Sequence, residues 1–260
     1  LGELHFILGV EVNRTSEGIT LSQQHFVKKL LVKFGMAEAK TAPTPMDTGV
    51  QLQGEDGYSK PVDNVLYQSI VGSLLYIAMV TRPDIAYAVG VLGRFAKSPT
   101  EAHLTAAKRV LRYLKGTDLK LSYKQQVSDY FVGYSDADWG SSVDDRRSTT
   151  GSIFVLAGGA VSWMSKKQSL VEQRLTKDIG QEMQMKIRED NQSAIRIAQH
   201  PVFHSRTKHI DIKTHYVREL VTQGTISLEY CASKENIADI FTKPLAKTRF
   251  IYLREKLGLE

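Results

Sequence analysis

Aspartate residues follow or interrupt apolar segments at three places in the sequence, an arrangement that can position carboxylates for a divalent cation. Asp136 comes after the apolar segment 131–134, Asp190 comes after the alternating segment 183–188, and Asp239 lies in the segment 236–243. Mg²⁺ prefers hard oxygen ligands, and a strand fixes the position of a carboxylate better than a loop does. The three aspartates are therefore candidate ligands of a metal ion.

The second half of the chain has the hydrophobic pattern of a sheet that could bring these aspartates together. We predict five strands, at 130–135, 152–157, 160–165, 183–188 and 226–231. We also predict helices at 193–199 and 207–223 and a terminal helix from about Ile237. If the first and fourth strands are parallel, the ends that carry Asp136 and Asp190 meet at one edge of the sheet.

Each aspartate also has a simpler interpretation when it is taken alone. Asp190 stands near the start of the helix predicted after Asn191, where an acidic side chain can cap free amide groups. Asp239 stands in the first turn of the predicted terminal helix, where a negative charge complements the helix dipole. Taken alone, each of these two structural roles is the better interpretation.

The first part of the chain is predicted to be mainly helical after an N-terminal β-hairpin. The hairpin consists of an apolar segment at 4–12, a turn at Glu17-Gly18 and a second strand at 19–21. Helices are predicted at 23–34, 67–79, 84–95 and, after a capping box at 98–101, up to Lys115. The polar segment 120–130 is interpreted as a domain boundary.

The last of these helices carries Lys108, Arg109 and Arg112 on one side. Basic helix faces are usually solvated surfaces. The alternative is a surface that follows the phosphates of a nucleic acid. The sequence leaves both interpretations open.

The composition is that of a folded protein with room for one large domain or two smaller ones, at 260 residues with 42% hydrophobic and 24% charged residues. The net charge of +6 suits a polyanionic partner without identifying one. Cys231 is the single cysteine, which excludes an intramolecular disulfide and suits a reducing compartment. The apolar run at 65–80 is too short and too polar to span a bilayer, and no signal peptide precedes it. A start without Met suggests a fragment.

The motifs around the aspartates resemble the RNase H domain that ends the Pol polyproteins of copia-type retrotransposons. The resemblance lies in the segments 134–140 (Tyr-Ser-Asp-Ala-Asp-Trp-Gly), 189–194 (Glu-Asp-Asn-Gln-Ser-Ala), 204–212 and 236–243. It also covers the first part of the chain, which is similar to the thumb and connection of the reverse transcriptase. The resemblance therefore implies a reverse-transcriptase remnant at 1–127 and an RNase H-like domain at 128–260.

The fold that this resemblance implies is α/β, with a mixed five-stranded sheet in the order 3-2-1-4-5 and flanking helices. Strands one to three would be antiparallel, and strands four and five parallel to strand one. The family's site holds two Mg²⁺ ions, which Mn²⁺ can replace. By resemblance, Asp136, Asp190 and Asp239 would be both the catalytic residues and the metal ligands.

The resemblance also implies partners and a location. The substrate would be an RNA–DNA hybrid whose RNA strand is cut. Arg206, Lys208 and His209 are candidates either to contact a nucleic-acid backbone or to assist product release. Other partners would be the rest of the Pol polyprotein, with no membrane involved. The expected location is intracellular, in the cytoplasm within a virus-like particle or in the nucleus.

The chain departs from the family pattern between the third and fourth strands. In the family, a Ser-Thr-Thr-Glu-Ala-Glu-Tyr type segment supplies a fourth acid and opens a long helix. Here only 11 residues separate Val171 from Met183, too few to cross the sheet and also form several helical turns. Glu172 is either a partial substitute for the lost acid or a solvent-facing loop residue. We therefore expect the catalytic glutamate and its helix to be missing.

Two hypotheses for the function follow. The first is an RNase H-like enzyme with impaired cleavage, and the second is a catalytically inactive nucleic-acid-binding or structural remnant of a Pol polyprotein. DNA polymerisation is not expected, because Val143-Asp144-Asp145 falls in the turn after the first strand rather than in a polymerase motif. The spacing of His200, His204, His209 and His215 fits no zinc-site pattern.

Overall fold

The computed structural model describes residues 2–54, 58–125, 131–138, 148–167, 185–199, 217 and 219–260. In this part of the chain a small antiparallel sheet and a group of helices are followed by a mixed five-stranded sheet. The protein is therefore α/β, as predicted. None of the described helices is both long enough and apolar enough to cross a membrane.

The small sheet contains the predicted turn at Glu17-Gly18 and one strand that the sequence did not reveal. The prediction of a single strand at 4–12 is wrong, because a turn at Leu8 and Gly9 divides this segment into two antiparallel strands. The strands of the small sheet are β1 (Phe6–Ile7), β2 (Val10–Thr15), β3 (Gly18–Ser22) and β4 (Leu121–Lys124), in that order and antiparallel. The interpretation of 120–130 as a simple polar boundary is therefore wrong for its first half. The backbone of β4 also bonds to the end of the chain, with Ser122 N–H donating to Gly258 O at 2.8 Å. The division into 1–127 and 128–260 stays a prediction.

The predicted helices of the first part are confirmed to within a few residues. They are α1 (Gln24–Lys33), α2 (Asn64–Val80), α3 (Ala86–Gly93, after a 3-10 turn at Pro83–Ile85) and α4 (Glu101–Lys115). The predicted capping box at 98–101 is wrong, because Thr100 is the N-cap and His103 Nδ1 accepts the Thr100 N–H at 2.9 Å. The shift has a tertiary cause, since Val62 N–H bonds to Pro99 O at 3.1 Å and keeps that residue outside the helix.

The five-stranded sheet has the strand order and directions that were predicted. Its strands are β5 (Phe131–Asp138), β6 (Thr149–Leu156), β7 (Gly159–Lys167), β8 (Met185–Glu189) and β9 (Ile226–Tyr230). They lie in the order β7-β6-β5-β8-β9; β5 to β7 are antiparallel, and β8 and β9 are parallel to β5. Segment 168–184, which contains Glu172, lies outside the described residues.

The elements beside this sheet are mostly those predicted. Helix α5 (Gln192–Gln199) follows β8, and residues 219–222 are helical before β9. The single terminal helix predicted from Ile237 is wrong, because the chain forms a 3-10 turn at Ile237–Phe241 and then α6 (Lys247–Glu255). Pro244 explains the interruption, since proline cannot donate to the helix and disfavours helical geometry at the residue before it.

The two faces of the large sheet pack against different partners. On one face, Ile153 and Ala160 belong to the same core as Leu74 and Ile77 of α2. Trp163 adds a hydrogen bond from its Nε1 to Ala78 O at 2.8 Å. The opposite face carries a smaller core, which in the described part consists of Phe131, Phe154, Met185 and Ile226. The main core thus joins the sheet to the helices of the first part.

A buried ion pair fixes the helices of the main core. Arg82 and Asp84 form two hydrogen bonds, at 2.9 and 2.8 Å, and both side chains are almost completely buried. Tyr113 of α4 donates to Asp84 at 2.6 Å, and Arg254 of α6 donates to Tyr113 at 3.2 Å. Because Arg82 and Asp84 are paired with each other, their burial leaves neither of these two charges unpaired.

Substitution of Gly151 on β6 tests how closely the 3-10 turn approaches the sheet. A Cβ atom there would lie 2.8 Å from Ala238 O and from Phe241 Cβ. We expect Gly151→Ala to lower the free energy of unfolding by about 1–3 kcal/mol through overpacking, measured by denaturant unfolding. Gly72→Ala in α2 is the matched control, because a Cβ there meets nothing within 4 Å. It should raise the free energy of unfolding by about 0.5–1 kcal/mol. Equal stability of Gly151→Ala and the unmodified chain would contradict this packing.

Candidate active site

Asp136 lies on β5 beyond the end of the neighbouring strand β8. The pairing of β5 with β8 ends at Tyr134 and Arg188, whereas Asp136 pairs with Gly151 of β6. The prediction that Asp136 ends its strand is therefore wrong, because β5 continues to Asp138. This extension places the Asp136 carboxylate on a part of β5 that pairs with β6 and no longer with β8.

The 3-10 turn that carries Asp239 is fastened to the sheet by side-chain hydrogen bonds. Asn236 donates from Nδ2 to Ser135 O at 2.8 Å and accepts from Ala238 N–H at 3.1 Å. Ser165 on β7 donates to Phe241 O at 2.6 Å. Because both ends of the turn are held, Asp239 has a fixed position beside β5.

Asp136 and Asp239 thereby form a carboxylate pair, with side chains that are 12% and 9% exposed. Burial raises the pKa of the Asp136 carboxyl, and the nearby Asp239 carboxyl raises it further. A hydrogen bond from the Thr242 hydroxyl, at 2.5 Å, and the charge of Lys243 offset part of this rise. Lys243 Nζ lies 2.7 Å from Asp239 Oδ1 and 3.8 Å from Asp136 Oδ2. The pair is therefore a mostly buried acidic site that already contacts cations, because Arg249 also lies 3.3 Å from Asp239 Oδ2.

A second carboxylate pair, Glu189 and Asp190, lies at the end of β8. Ser135, the neighbour of Asp136, donates from its hydroxyl to Glu189. Burial raises the pKa of the Glu189 carboxyl, hydrogen bonds from Ser135 and the Asn191 N–H oppose this, and the adjacent Asp190 raises it further. Glu189 was not predicted as a site residue, although it stands in the same acidic motif as Asp190. The sequence pattern of β8 gives no sign of its contact with Ser135.

The interpretation of Asp190 as a helix cap is wrong. Asn191 caps α5 instead, since its Oδ1 accepts the N–H groups of Ser193 at 3.0 Å and Ala194 at 3.2 Å. A capping role therefore does not account for Asp190. Asp239, by contrast, does lie in the first turn of a helix, although that helix is a short 3-10 turn.

Cys231 lies between the two carboxylate pairs. Its N–H donates to Glu189 O at 3.1 Å. Burial raises the pKa of its thiol to about 11, and the charges of Asp190, Glu189 and Asp239 act in the same direction. All three carboxylates are thus within electrostatic range of one buried group.

The donor chemistry of this edge fits one Mg²⁺ ion. Within the described ranges, no three histidine, cysteine, aspartate or glutamate side chains are grouped closely enough to hold a metal. Mg²⁺, however, commonly binds through one or two carboxylates and completes its shell with water and substrate phosphates. Asp136 and Asp239 supply such a pair.

The basic residues of α4 have structural contacts in the described chain. Arg109 donates from Nε to Thr44 O at 3.2 Å, and Arg112 donates from Nε to Lys40 O at 2.6 Å. Lys108 is exposed. A nucleic-acid role of these three residues stays a prediction. Arg206, Lys208 and His209 lie outside the described residues.

The chain is similar to retrovirus-related Pol polyproteins of plant transposons. It is 39% identical to that from transposon RE1 and 37% identical to that from transposon RE2, both of Arabidopsis thaliana, over 99% of this chain and 19% of each relative. It is 34% identical to that from transposon TNT 1-94 of Nicotiana tabacum, over 100% of this chain and 22% of the relative. The chain therefore spans about a fifth of the length of these relatives. No family model and no solved structure matches it.

The alignments also show that the relatives are longer within the matched region. The alignments with RE1 and RE2 extend over 281 positions and this chain has 260 residues, so each relative has at least 21 residues without a counterpart here. The location of these residues does not follow from the alignment length. Their existence agrees with the internal deletion predicted between Val171 and Met183.

The pKa shift of Asp136 gives a test of the site that needs no substrate. Because its folded pKa is raised, the stability linked to its protonation is present below about pH 4 and is lost as the pH rises through the folded pKa. We expect Asp136→Asn to avoid this loss and to melt a few degrees higher than the unmodified chain at pH 7 in EDTA, with the difference shrinking towards about pH 4. Asp118→Asn, at an exposed position, is the control and should show no such gain. A lower melting temperature of Asp136→Asn at pH 7 would contradict the balance described here.

Proposed function

The chain belongs to the retrovirus-related Pol polyproteins of copia-type transposons, and from this membership we propose that residues 128–260 form an RNase H-like domain. The observation that carries the proposal is that the carboxylates of Asp136 and Asp239 meet at one ammonium, with Lys243 Nζ 3.8 Å from Asp136 Oδ2 and 2.7 Å from Asp239 Oδ1. These residues come from separate motifs, and a purely structural sheet gains nothing from bringing two carboxylates together in a buried place. The strand order β7-β6-β5-β8-β9 supports the same proposal.

The proposed reaction is cleavage of the RNA strand of an RNA–DNA hybrid. Bound Mg²⁺ would supply Lewis-acid chemistry at the scissile phosphate and a more acidic water. Asp136 and Asp239 would hold the ion, and Asp190 would contribute from the end of β8. The Thr242 hydroxyl orients the Asp136 carboxylate, and Asn236 holds the turn that carries Asp239.

We infer that this activity is impaired. A second metal ion would need more negative charge near the first, and the predicted deletion removes the glutamate that provides it in the family. The additional residues of the relatives support such a deletion. Glu189, which accepts a hydrogen bond from Ser135 of β5, would replace some of this charge.

The second candidate is a catalytically inactive remnant that binds nucleic acid or is purely structural. It is favoured by the absence, among the described residues, of a group of three metal-ligating side chains. In this case the hybrid would still bind through basic residues such as Lys108, with affinity that falls steeply with salt. Cleavage separates the two candidates.

A cleavage assay on a labelled RNA–DNA hybrid tests the proposal. We expect slow, Mg²⁺-dependent cutting of the RNA strand, faster with Mn²⁺, and a fall to background in both Asp136→Asn and Asp239→Asn. The variants must be purified in parallel, because a contaminating nuclease would cut equally in all samples. Hybrid binding without any cleavage in Mg²⁺ or Mn²⁺ would favour the inactive remnant and overturn the enzymatic proposal.

A further inference from the structure

We propose that Lys243 is an internal cation that competes with Mg²⁺ for the carboxylates of Asp136 and Asp239. This inference rests on the metal site of the proposed function. The Lys243 ammonium lies 2.7 Å from Asp239 Oδ1 and 3.8 Å from Asp136 Oδ2. It therefore contacts both groups that would hold the metal ion.

A cation that contacts both carboxylates stabilises this place when no metal is bound. Two carboxylates that meet away from bulk water repel each other, and burial weakens the hydration that would otherwise stabilise them. Both side chains are mostly buried. The Lys243 ammonium reduces the repulsion without any ion from solution.

Arg249 also contacts the pair, but its position differs from that of Lys243. Its guanidinium lies 3.3 Å from Asp239 Oδ2 and also donates to Ser233 O at 2.8 Å and to Lys234 O. These backbone contacts fix it on the outer side of Asp239. Arg249 is thus a permanent neighbour of one carboxylate, whereas Lys243 contacts both.

The partial exposure of Lys243 gives its side chain room to leave the pair. Its side chain is 40% exposed, and it lies four residues after Asp239, just beyond Thr242, the C-cap of the 3-10 segment. A rotation of its flexible stem moves the ammonium into solvent. The apparent affinity for a divalent ion is then the intrinsic affinity multiplied by the fraction of molecules in which Lys243 is displaced.

Metal titration of Lys243→Met tests this competition. On the full chain, Mn²⁺ binding is measured by electron paramagnetic resonance and Mg²⁺ binding by calorimetry. If Lys243 occupies the pair in about nine molecules of ten, its removal should tighten binding about tenfold. Lys124→Met is the matched control, because Lys124 Nζ also lies 2.7 Å from a carboxylate, that of Glu260, in an exposed pair. Its metal affinity should equal that of the unmodified chain.

Stability gives a second measurement on the same proteins. In EDTA, Lys243→Met should melt below the unmodified chain, and saturating Mg²⁺ should raise its melting temperature by more than it raises that of the unmodified chain. Lys124→Met should show the same Mg²⁺ effect as the unmodified chain. An equal Mg²⁺ effect in all three proteins would overturn the proposal.

The possible outcomes separate this proposal from the proposed function. Equal or weaker Mn²⁺ binding by Lys243→Met, with binding abolished in Asp136→Asn, would overturn the competition and leave the metal site standing. Failure of the unmodified chain and of Lys243→Met to bind any divalent ion would overturn both. If Lys243→Met does not fold, NMR spectroscopy can be used on the chain with ¹³C-methylated lysines. The signal of Lys243, assigned by comparison with Lys243→Arg, must then shift when Mg²⁺ is added. No shift would contradict the displacement.

Discussion

Two carboxylates that meet in a mostly buried place must be held there by the fold and neutralised by a cation, and the edge of the large sheet is built around this constraint. Strand β5 extends past β8 and presents Asp136, while Asn236 fastens the turn that presents Asp239. Gly151 leaves room for that turn to approach the sheet. Lys243 provides the cation. Removal of any one of these features would separate or destabilise the pair.

The strands of the sheet could be predicted because their information is local, whereas their order was implied by the family resemblance. Each strand has its own apolar segment, and the order and directions of the strands agree with the prediction. The features that were missed depend on distant partners. Strand β4 is short and partly polar, and it is held by β3 and by the backbone of residues 258–260. The N-cap at Thr100 likewise follows from pairing with residues 60–62, which no capping pattern contains.

The candidate site was predictable to the extent that its residues stand in motifs. The motifs indicated Asp136 and Asp239, and the structure brings the two together. They did not indicate Glu189, whose contact with Ser135 depends on the register of two parallel strands. They also did not indicate that Lys243 approaches Asp136, because this ion pair joins separate elements and leaves no periodic signal in the sequence, unlike the local i,i+4 pair of Lys243 with Asp239. The local pattern therefore identifies the acids, and only the fold shows what balances their charge.

The most direct test of this account is a crystal structure of the chain grown with Mn²⁺ and measured at the manganese absorption edge. The account predicts an anomalous peak within about 2.5 Å of oxygens from both Asp136 and Asp239, with the Lys243 ammonium moved away from its 2.7 Å contact with Asp239. A fully ordered Lys243 between the two carboxylates at saturating Mn²⁺, with the anomalous peak elsewhere or absent, would contradict it.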